Sequence, residues 1–223
     1  MQRKSLGFTL VEIAIVLVIV ALLLGGILKG QELITSAKIR NIAGDFSAIA
    51  SAAYSYQERF KALPGDDSAA SARWGASVPN GDRNGTIGGE FCGDPAVAAE
   101  SVYFWRHLRL AGLLAGDANL GEQPANAIGG IFGAQTGSGT SAAPELSGPV
   151  ICANNVNGKI AAALDAQFDD GKPGSGTVRA YSQNRISQAR GCSSNPTRAA
   201  AVQNSAGYNA VDDSELYTLC KTL

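Results

Sequence analysis

The feature that most constrains the fold of this chain is a long apolar run over residues 8–28, which reads FTLVEIAIVLVIVALLLGGIL and contains Glu12 as its one ionisable residue. As an α-helix, a run of this length spans about 31 Å, which matches the hydrocarbon core of a bilayer. Beyond residue 60 the sequence becomes polar and rich in Gly, Ser, Asn and Ala. We therefore expect one membrane-spanning segment followed by one ectodomain.

Three kinds of N-terminal segment compete for this run: a secretory signal, a plain transmembrane anchor, and a segment that is processed and then assembles. A secretory signal has an apolar region of about 7–15 residues, so the length of the run and the carboxylate inside it disfavour that class. Cleavage after the LLLGG stretch remains an alternative.

Glu12 decides between the other two classes, because a carboxylate inside a membrane helix is unfavourable unless it snorkels to the interface or finds a partner. Cleavage between Gly7 and Phe8 would create a positive α-amine four residues before Glu12. In a bundle of such helices, the amine of one subunit could pair with the carboxylate of its neighbour. Subunit docking would then depend on processing.

Residues 4–12 read KSLGFTLVE and resemble the prepilin signature of type IV pilins and type II secretion pseudopilins. This resemblance implies that a prepilin peptidase cleaves after Gly7 and N-methylates Phe8, and that Glu12 is the assembly glutamate. It also implies a single-pass subunit of the inner membrane, with its ectodomain in the periplasm, that later joins a periplasmic or extracellular filament. The chain departs from many major pilins in lacking a proline midway along the helix, where Gly25, Gly26 and Gly30 could weaken it instead.

Apolar residues continue beyond the run at alternating spacings of three and four, which is typical of an amphipathic helix with one buried stripe. The stripe consists of Ile39, Ile42, Phe46, Ile49, Ala53, Tyr56 and Phe60. We expect the helix to end before Leu63-Pro64-Gly65, because Pro and Gly oppose its continuation. The predicted organisation is a leader at 1–7, a transmembrane and polymerisation helix at 8–28, an amphipathic half at 29–60 and a globular α+β ectodomain at 61–223.

The ectodomain is predicted to combine short helices with an antiparallel sheet that covers the helix stripe, which is the α+β fold of type IV pilins. Turn signals make 61–94 loop-rich, and Asp94-Pro95 indicates a helix start. We expect one helix that starts at Asp94 and stops near Gly112 or Gly116, and a short one near 159–168. Strands are expected around 128–134, 149–153 and 176–181, with a surface loop at 137–148. The stretches AYSYQERFKALPGD, FWRHLRLAGLL and LDAQFDDGKPGSGTVRA resemble those of a subgroup of large pilin-like proteins, which implies membership of the family. The ectodomain is larger than in many major pilins, which favours a minor or specialised subunit.

The four cysteines are Cys92, Cys152, Cys192 and Cys220, and all lie downstream of the apolar run. Without CxxC spacing, and with one histidine in the chain, they do not fit a zinc site. Their even number beyond a membrane segment predicts up to two disulfides, with three pairings open. Sequence proximity favours Cys192–Cys220 with Cys92–Cys152, and buried free thiols are the alternative.

Residues 80–87, NGDRNGTI, place oxygen side chains at alternating positions, as the first half of a calcium loop does. Asn80, Asp82, Asn84 and Glu90 are therefore candidate calcium ligands, and some secretion pseudopilins bind calcium. Arg83 inside the loop and Phe91 at its twelfth position argue against such a site. A turn built on Asn and Asp side chains is the simpler interpretation.

No motif in the sequence indicates catalysis. His107 is the only histidine and no nucleophile motif accompanies it, while the glycine-rich stretches lack the ending of a phosphate loop. We therefore expect no enzyme and no small-molecule substrate. Residues 171–211 carry basic side chains without Asp or Glu, so DNA or an acidic neighbour is a candidate partner there, and a solvated surface is the alternative.

The sequence thus predicts a structural subunit, minor or specialised, of a type IV pilus-like filament. Its expected partners are other pilin subunits, the prepilin peptidase and, before assembly, the inner membrane. Two alternatives remain open: a type II secretion pseudopilin, and a membrane-anchored DNA- or ligand-binding module that does not polymerise.

Overall fold

The computed structural model describes residues 9–137, 146–182, 207–208 and 215–223. The chain divides into two compact units, Met1–Lys38 and Ile39–Leu223. The described part of the first unit is Thr9 and the helix that follows it, and the second unit contains the sheet and the hydrophobic core.

Helix α1 covers Leu10–Phe60. It ends where predicted: Lys61 takes a positive φ of 54°, and Pro64 follows three residues later. The predicted stripe is confirmed, because its five central residues are buried and the two outer ones pack against the core. The central five are Ile42, Phe46, Ile49, Ala53 and Tyr56, and the outer two are Ile39 and Phe60.

The four described strands form one antiparallel sheet in the order β1-β2-β4-β3. Their bounds are Phe132–Gly137 for β1, Gly148–Asn157 for β2, Val178–Ser182 for β3 and Leu216–Thr222 for β4. The last strand therefore inserts between β2 and β3. The register of β2 against β4 shifts between Ala153 and Val156. This sheet and the helices confirm the predicted α+β class.

Three short helices complete the described fold: α2 at Ala70–Trp74, α3 at Glu100–Leu110 and α4 at Gly158–Phe168. Helix α4 matches its prediction, and the side chain of Asn157 accepts a hydrogen bond from the Ile160 N–H at 3.0 Å at its start. The predicted start of α3 at Asp94 is wrong. Asp94 instead closes a separate turn, in which its side chain accepts the Ala96 N–H at 2.9 Å and its carbonyl accepts the Val97 N–H.

The strand predicted around 128–134 begins later, at Phe132, because Asn126 folds the preceding residues into a turn. The Asn126 side-chain oxygen accepts the N–H groups of Ile128 and Gly130, at 3.1 and 2.8 Å. Strand β2 runs beyond the predicted 149–153, and β3 lies close to its prediction. Helix α2 and strand β4 were not predicted. Most of the predicted loop at 137–148 lies outside the described residues.

The core forms where the α1 stripe meets the sheet and the short helices. Phe46 packs edge-on against Phe132 of β1, with ring centroids 5.2 Å apart, and against Phe168 of α4 at 5.8 Å. Phe104, Trp105 and Leu108 of α3 are fully buried in the same cluster. Burying each large side chain contributes roughly 1.5–3 kcal/mol, so this cluster is the main source of stability in the second unit.

The predicted disulfide pairs are wrong, because Cys152 bonds Cys220, 68 residues later in the chain. The two residues lie opposite each other in the register of β2 and β4. Strand β4 places Cys220 there, and the position of this strand in the sheet was not predicted from the sequence. Cys92 is half-buried, and Cys192 lies outside the described residues.

Candidate functional site

The N-terminal motif is described from Thr9 onward, so Gly7 and Phe8 lie outside the described residues. Thr9 immediately precedes the first residue of α1. The Glu12 carboxylate accepts hydrogen bonds from both the main-chain N–H and the hydroxyl of Thr9, each at 2.8 Å. In return, the Glu12 N–H donates to the Thr9 hydroxyl oxygen at 3.3 Å.

This reciprocal pair is a capping box, in which a Thr and a Glu three residues later satisfy two helix-terminal donors. The sequence contained the signal, Thr-x-x-Glu at residues 9–12, and our sequence analysis missed it. The box gives Glu12 neutral donors within its own chain. Neither hydrogen bond brings a cation, and no ion pair of Glu12 occurs among the described residues.

The apolar half of α1 presents its side chains outward. Its large aliphatic residues range from Val20, 45% exposed, to Leu10, 90% exposed. Among the described residues, α1 is the one helix that is long and apolar enough to cross a membrane. An exposed apolar surface of this extent marks a membrane or protein contact.

In the ectodomain, three carboxylates meet beside the predicted calcium loop. Oxygens of Asp66, Asp82 and Glu100 all lie within 4.8 Å of one another. Asp66 is buried and accepts the N–H groups of Asn84 and Gly85, at 3.0 and 2.8 Å. These three side chains are the described residues of the loop region that could hold a cation.

Glu100 links this group to α3, because its carboxylate accepts the N–H groups of Asp82 and Gly88 at 3.0 and 2.7 Å. Burial, together with the nearby carboxylates of Asp82 and Asp66, raises the pKa of Glu100 against the opposing effect of those two hydrogen bonds. The main-chain amides thus stabilise the acidic group from within the loop.

The four predicted calcium ligands do not form one group in the structure. Asp82 belongs to the acidic group, and Asn84 donates to it through its main-chain and side-chain nitrogens. Asn80 points elsewhere and accepts the Ser71 N–H at 2.8 Å. Glu90 is half-buried outside the group, and burial raises its pKa. Calcium binding stays a prediction, and the sequence missed Asp66 and Glu100 because both lie outside the loop.

A second acidic group organises the turn between α4 and β3. Asp165 is buried and accepts the Gly171 N–H at 3.1 Å and the Tyr208 hydroxyl, and burial raises its pKa. Asp169 accepts the Val178 N–H at 3.1 Å at the start of β3. These bonds give the carboxylates a structural role.

The predicted basic surface is described only in part. Arg179 donates to the carbonyls of Gly176 and Val178, at 2.5 and 3.2 Å. Arg185, Arg190 and Arg198 lie outside the described residues. DNA binding therefore remains a prediction.

His107 is fully buried on α3, and main-chain groups engage both of its ring nitrogens. Burial lowers its pKa to about 4. These two hydrogen bonds to main-chain groups are typical of a structural histidine.

Comparison with known proteins identifies one region. Residues 2–28 match the family model described as the prokaryotic N-terminal methylation motif, which is the signature of type IV pilins and pseudopilins. No curated protein and no solved structure matches the chain significantly. The motif implies processing by a prepilin peptidase and assembly with other pilin subunits, and together with the apolar helix it supports membrane anchoring. The chain therefore carries the N-terminal methylation motif that is typical of type IV pilins and pseudopilins.

Proposed function

We propose that this chain is a structural subunit, minor or specialised, of a type IV pilus-like filament. The prepilin peptidase removes residues 1–7 and methylates the new α-amine of Phe8. The subunit waits in the inner membrane with its ectodomain in the periplasm, and then enters a filament through residues 8–28. The role is structural and involves no catalysis or small-molecule substrate.

The observation that carries this proposal is the state of Glu12. It lies in the first turn of an exposed apolar helix, and among the described residues it has hydrogen-bond donors but no countercharge. A cation from another molecule would remove that unpaired charge. The processed α-amine of a neighbouring subunit is such a cation, so charge pairing couples processing to assembly.

Mass spectrometry of the membrane-extracted protein tests the processing step. We expect the mass to correspond to a chain that starts at Phe8 and carries one added methyl group. An intact N-terminus in assembled material would reject the proposal.

The capping box provides a matched pair of variants that separates charge from helix capping. Glu12→Gln keeps a side chain that can complete the box but removes the charge. Thr9→Ala removes the box but keeps the charge. We expect Glu12→Gln to be cleaved normally and to enter filaments poorly, and Thr9→Ala to enter them at close to the wild-type level. The reverse pattern would assign Glu12 to capping alone.

A type II secretion pseudopilin is the alternative within the same class, because the motif is common to both. Sheared extracellular filaments that contain the chain would favour the pilus. Loss of protein secretion on deletion, without such filaments, would favour the pseudopilin. An anchored DNA- or ligand-binding module would tolerate both Glu12→Gln and Glu12→Ala.

A further inference from the structure

The chain's single histidine holds both ends of one ectodomain segment, which we call the 65–79 segment. The Gly65 N–H donates to His107 Nδ1 at 3.0 Å, and His107 Nε2 lies 3.0 Å from the Pro79 carbonyl oxygen. Helix α2 lies between these two anchor points. His107 thus joins α3 to residues 42 and 28 positions earlier in the chain.

The backbone at Gly65 lies very close to the backbone of α3. Its φ is +92°, and a Cβ there would stand 2.5 Å from the Glu100 carbonyl oxygen at the start of α3. Only glycine fits this position without moving the backbone. The segment therefore sits directly against α3 at the point where His107 receives its hydrogen bond.

These two bonds specify one protonation state of the ring. Because Nδ1 accepts a hydrogen bond from the Gly65 main-chain N–H, it carries no proton of its own, and Nε2 must donate to the Pro79 carbonyl. His107 is therefore neutral with its proton on Nε2. An imidazolium would present two donors, and the one on Nδ1 would face the Gly65 N–H.

The side chains around His107 favour the neutral form of its ring. The Tyr56 ring of α1 stacks on His107 with centroids 6.2 Å apart, and Trp74 of α2 and Tyr103 of α3 flank it. The charged side chains that act on the ring, Arg73 of α2 and Arg106 of α3, are both cations. The Asp67 carboxylate accepts a hydrogen bond from the Tyr56 hydroxyl at 2.6 Å and forms an ion pair with Arg73.

We propose that His107 is an acid-sensitive clasp: its neutral ring holds the 65–79 segment on α3, and mild acid opens the segment while the sheet stays folded. This proposal rests on ectodomain geometry and does not depend on the role of the filament. Opening would uncover Tyr56, which is fully buried, and would take Trp74 away from Phe60 at the end of α1.

The direction of the pH effect follows from the two states of the ring. In the closed state burial lowers the pKa of His107 to about 4, whereas in an opened segment the ring has its ordinary pKa of about 6.5. Between these values the open state binds more protons, so opening becomes more favourable as the pH falls. The opening equilibrium should rise about tenfold per pH unit over that range, or about 30-fold from pH 8 to pH 5.

Hydrogen exchange of the full chain in detergent micelles tests this at pH 8 and pH 5. After correction for intrinsic exchange rates, we expect the 65–79 segment to open about 30-fold more at pH 5. Peptides from β2 and β4 should change little. No change in the segment, or an equal change in the strands, would overturn the clasp.

Two non-titrating variants assign the effect to the ring. His107→Gln keeps a donor for the Pro79 carbonyl, and His107→Asn keeps an acceptor for the Gly65 N–H. We expect both to open the segment more than wild type at pH 8 and to lose the dependence between pH 8 and pH 5. A slope that persists in them and disappears in Asp67→Asn would transfer the effect to Asp67 and refute the proposal.

A titration of the folded wild type gives an independent answer, even if a variant fails to fold. His107 is the only histidine, so the ring contributes a single imidazole Cε1–H signal in the NMR spectrum. We expect this signal to show no titration midpoint near pH 6.5 while the segment is closed. A midpoint near 6.5 in the closed state would contradict the clasp.

Discussion

The two halves of α1 contain similar aliphatic residues but meet opposite surroundings. In the apolar half, Leu23 and Leu24 are 61% and 57% exposed, whereas in the second half Ile42 and Tyr56 are 0% exposed. Both halves are helical, because the main-chain hydrogen bonds of a helix are local. The comparison shows that the second half is stabilised by its own ectodomain, while the first exposes its apolar side chains among the described residues, as is typical of a membrane or protein contact.

The described polar groups of the two units also differ in whether they have partners within the chain. Glu12 has neutral donors from Thr9 and no described countercharge. In the second unit, Asp67 has Tyr56 and Arg73, and both nitrogens of His107 have main-chain partners. Buried polar groups in a folded domain are almost always satisfied internally. Among the described residues Glu12 lacks a charged partner, which supports the proposal that its charge acts in assembly.

The largest expected difference between the halves concerns large-to-small substitutions. Phe46→Ala should destabilise the ectodomain by roughly 3–5 kcal/mol, because it leaves a cavity beside Phe132 and Phe168. Leu23→Ala should leave ectodomain stability unchanged. Urea unfolding of the detergent-solubilised full chain measures both, since Trp74 and Trp105 lie in the second unit. Equal losses from the two variants would refute the distinction.

Removal of the disulfide should cause the second-largest loss of ectodomain stability. The double variant Cys152→Ala/Cys220→Ala should lower ectodomain stability by about 2–4 kcal/mol, because the bond closes a loop of 68 residues in the unfolded chain. Cys92→Ala is the control that leaves this bond in place. Non-reducing peptide mapping checks the pairing itself, and a Cys192–Cys220 peptide would contradict the structure.

The smallest expected effect compares the two helix caps. Asn157→Ala removes the acceptor at the start of α4 and should cost the ectodomain about 1 kcal/mol. Thr9→Ala removes the capping box of α1 and should leave the same unfolding transition unchanged, since that box lies in the first unit. A comparable loss from Thr9→Ala would mean that the N-terminal cap contributes to ectodomain stability.

Much of the fold was predictable because it follows from local spacing. The stripe from Ile39 to Phe60 revealed the buried face of α1, and Leu63-Pro64 revealed its end. The helix predicted near 159–168 is α4, which covers Gly158–Phe168. The false start at Asp94 has a local explanation too, because an Asp before Pro serves a turn as well as a helix cap.

Contacts between residues that lie far apart in the sequence were less predictable. Asp82 was identified from its loop, but its partners Asp66 and Glu100 are brought to it from before the loop and from α3. His107 was identified as the only histidine and as lacking a nucleophile motif, yet nothing in its neighbourhood along the chain revealed Gly65 and Pro79 as its partners. Glu100 and His107 both lie on α3, so their contacts depend on how α3 packs in the ectodomain.

The sequence by itself determined the apolar N-terminal helix, its single carboxylate, the methylation motif and the amphipathic half that follows, since all four depend on which residues lie within a few positions of one another. The tertiary structure alone decided that β4 inserts between β2 and β3, that Cys152 therefore meets Cys220, and that one histidine holds two distant turns. These contacts join residues far apart in the chain, and only the packing of the core selects among the many pairings that the sequence allows.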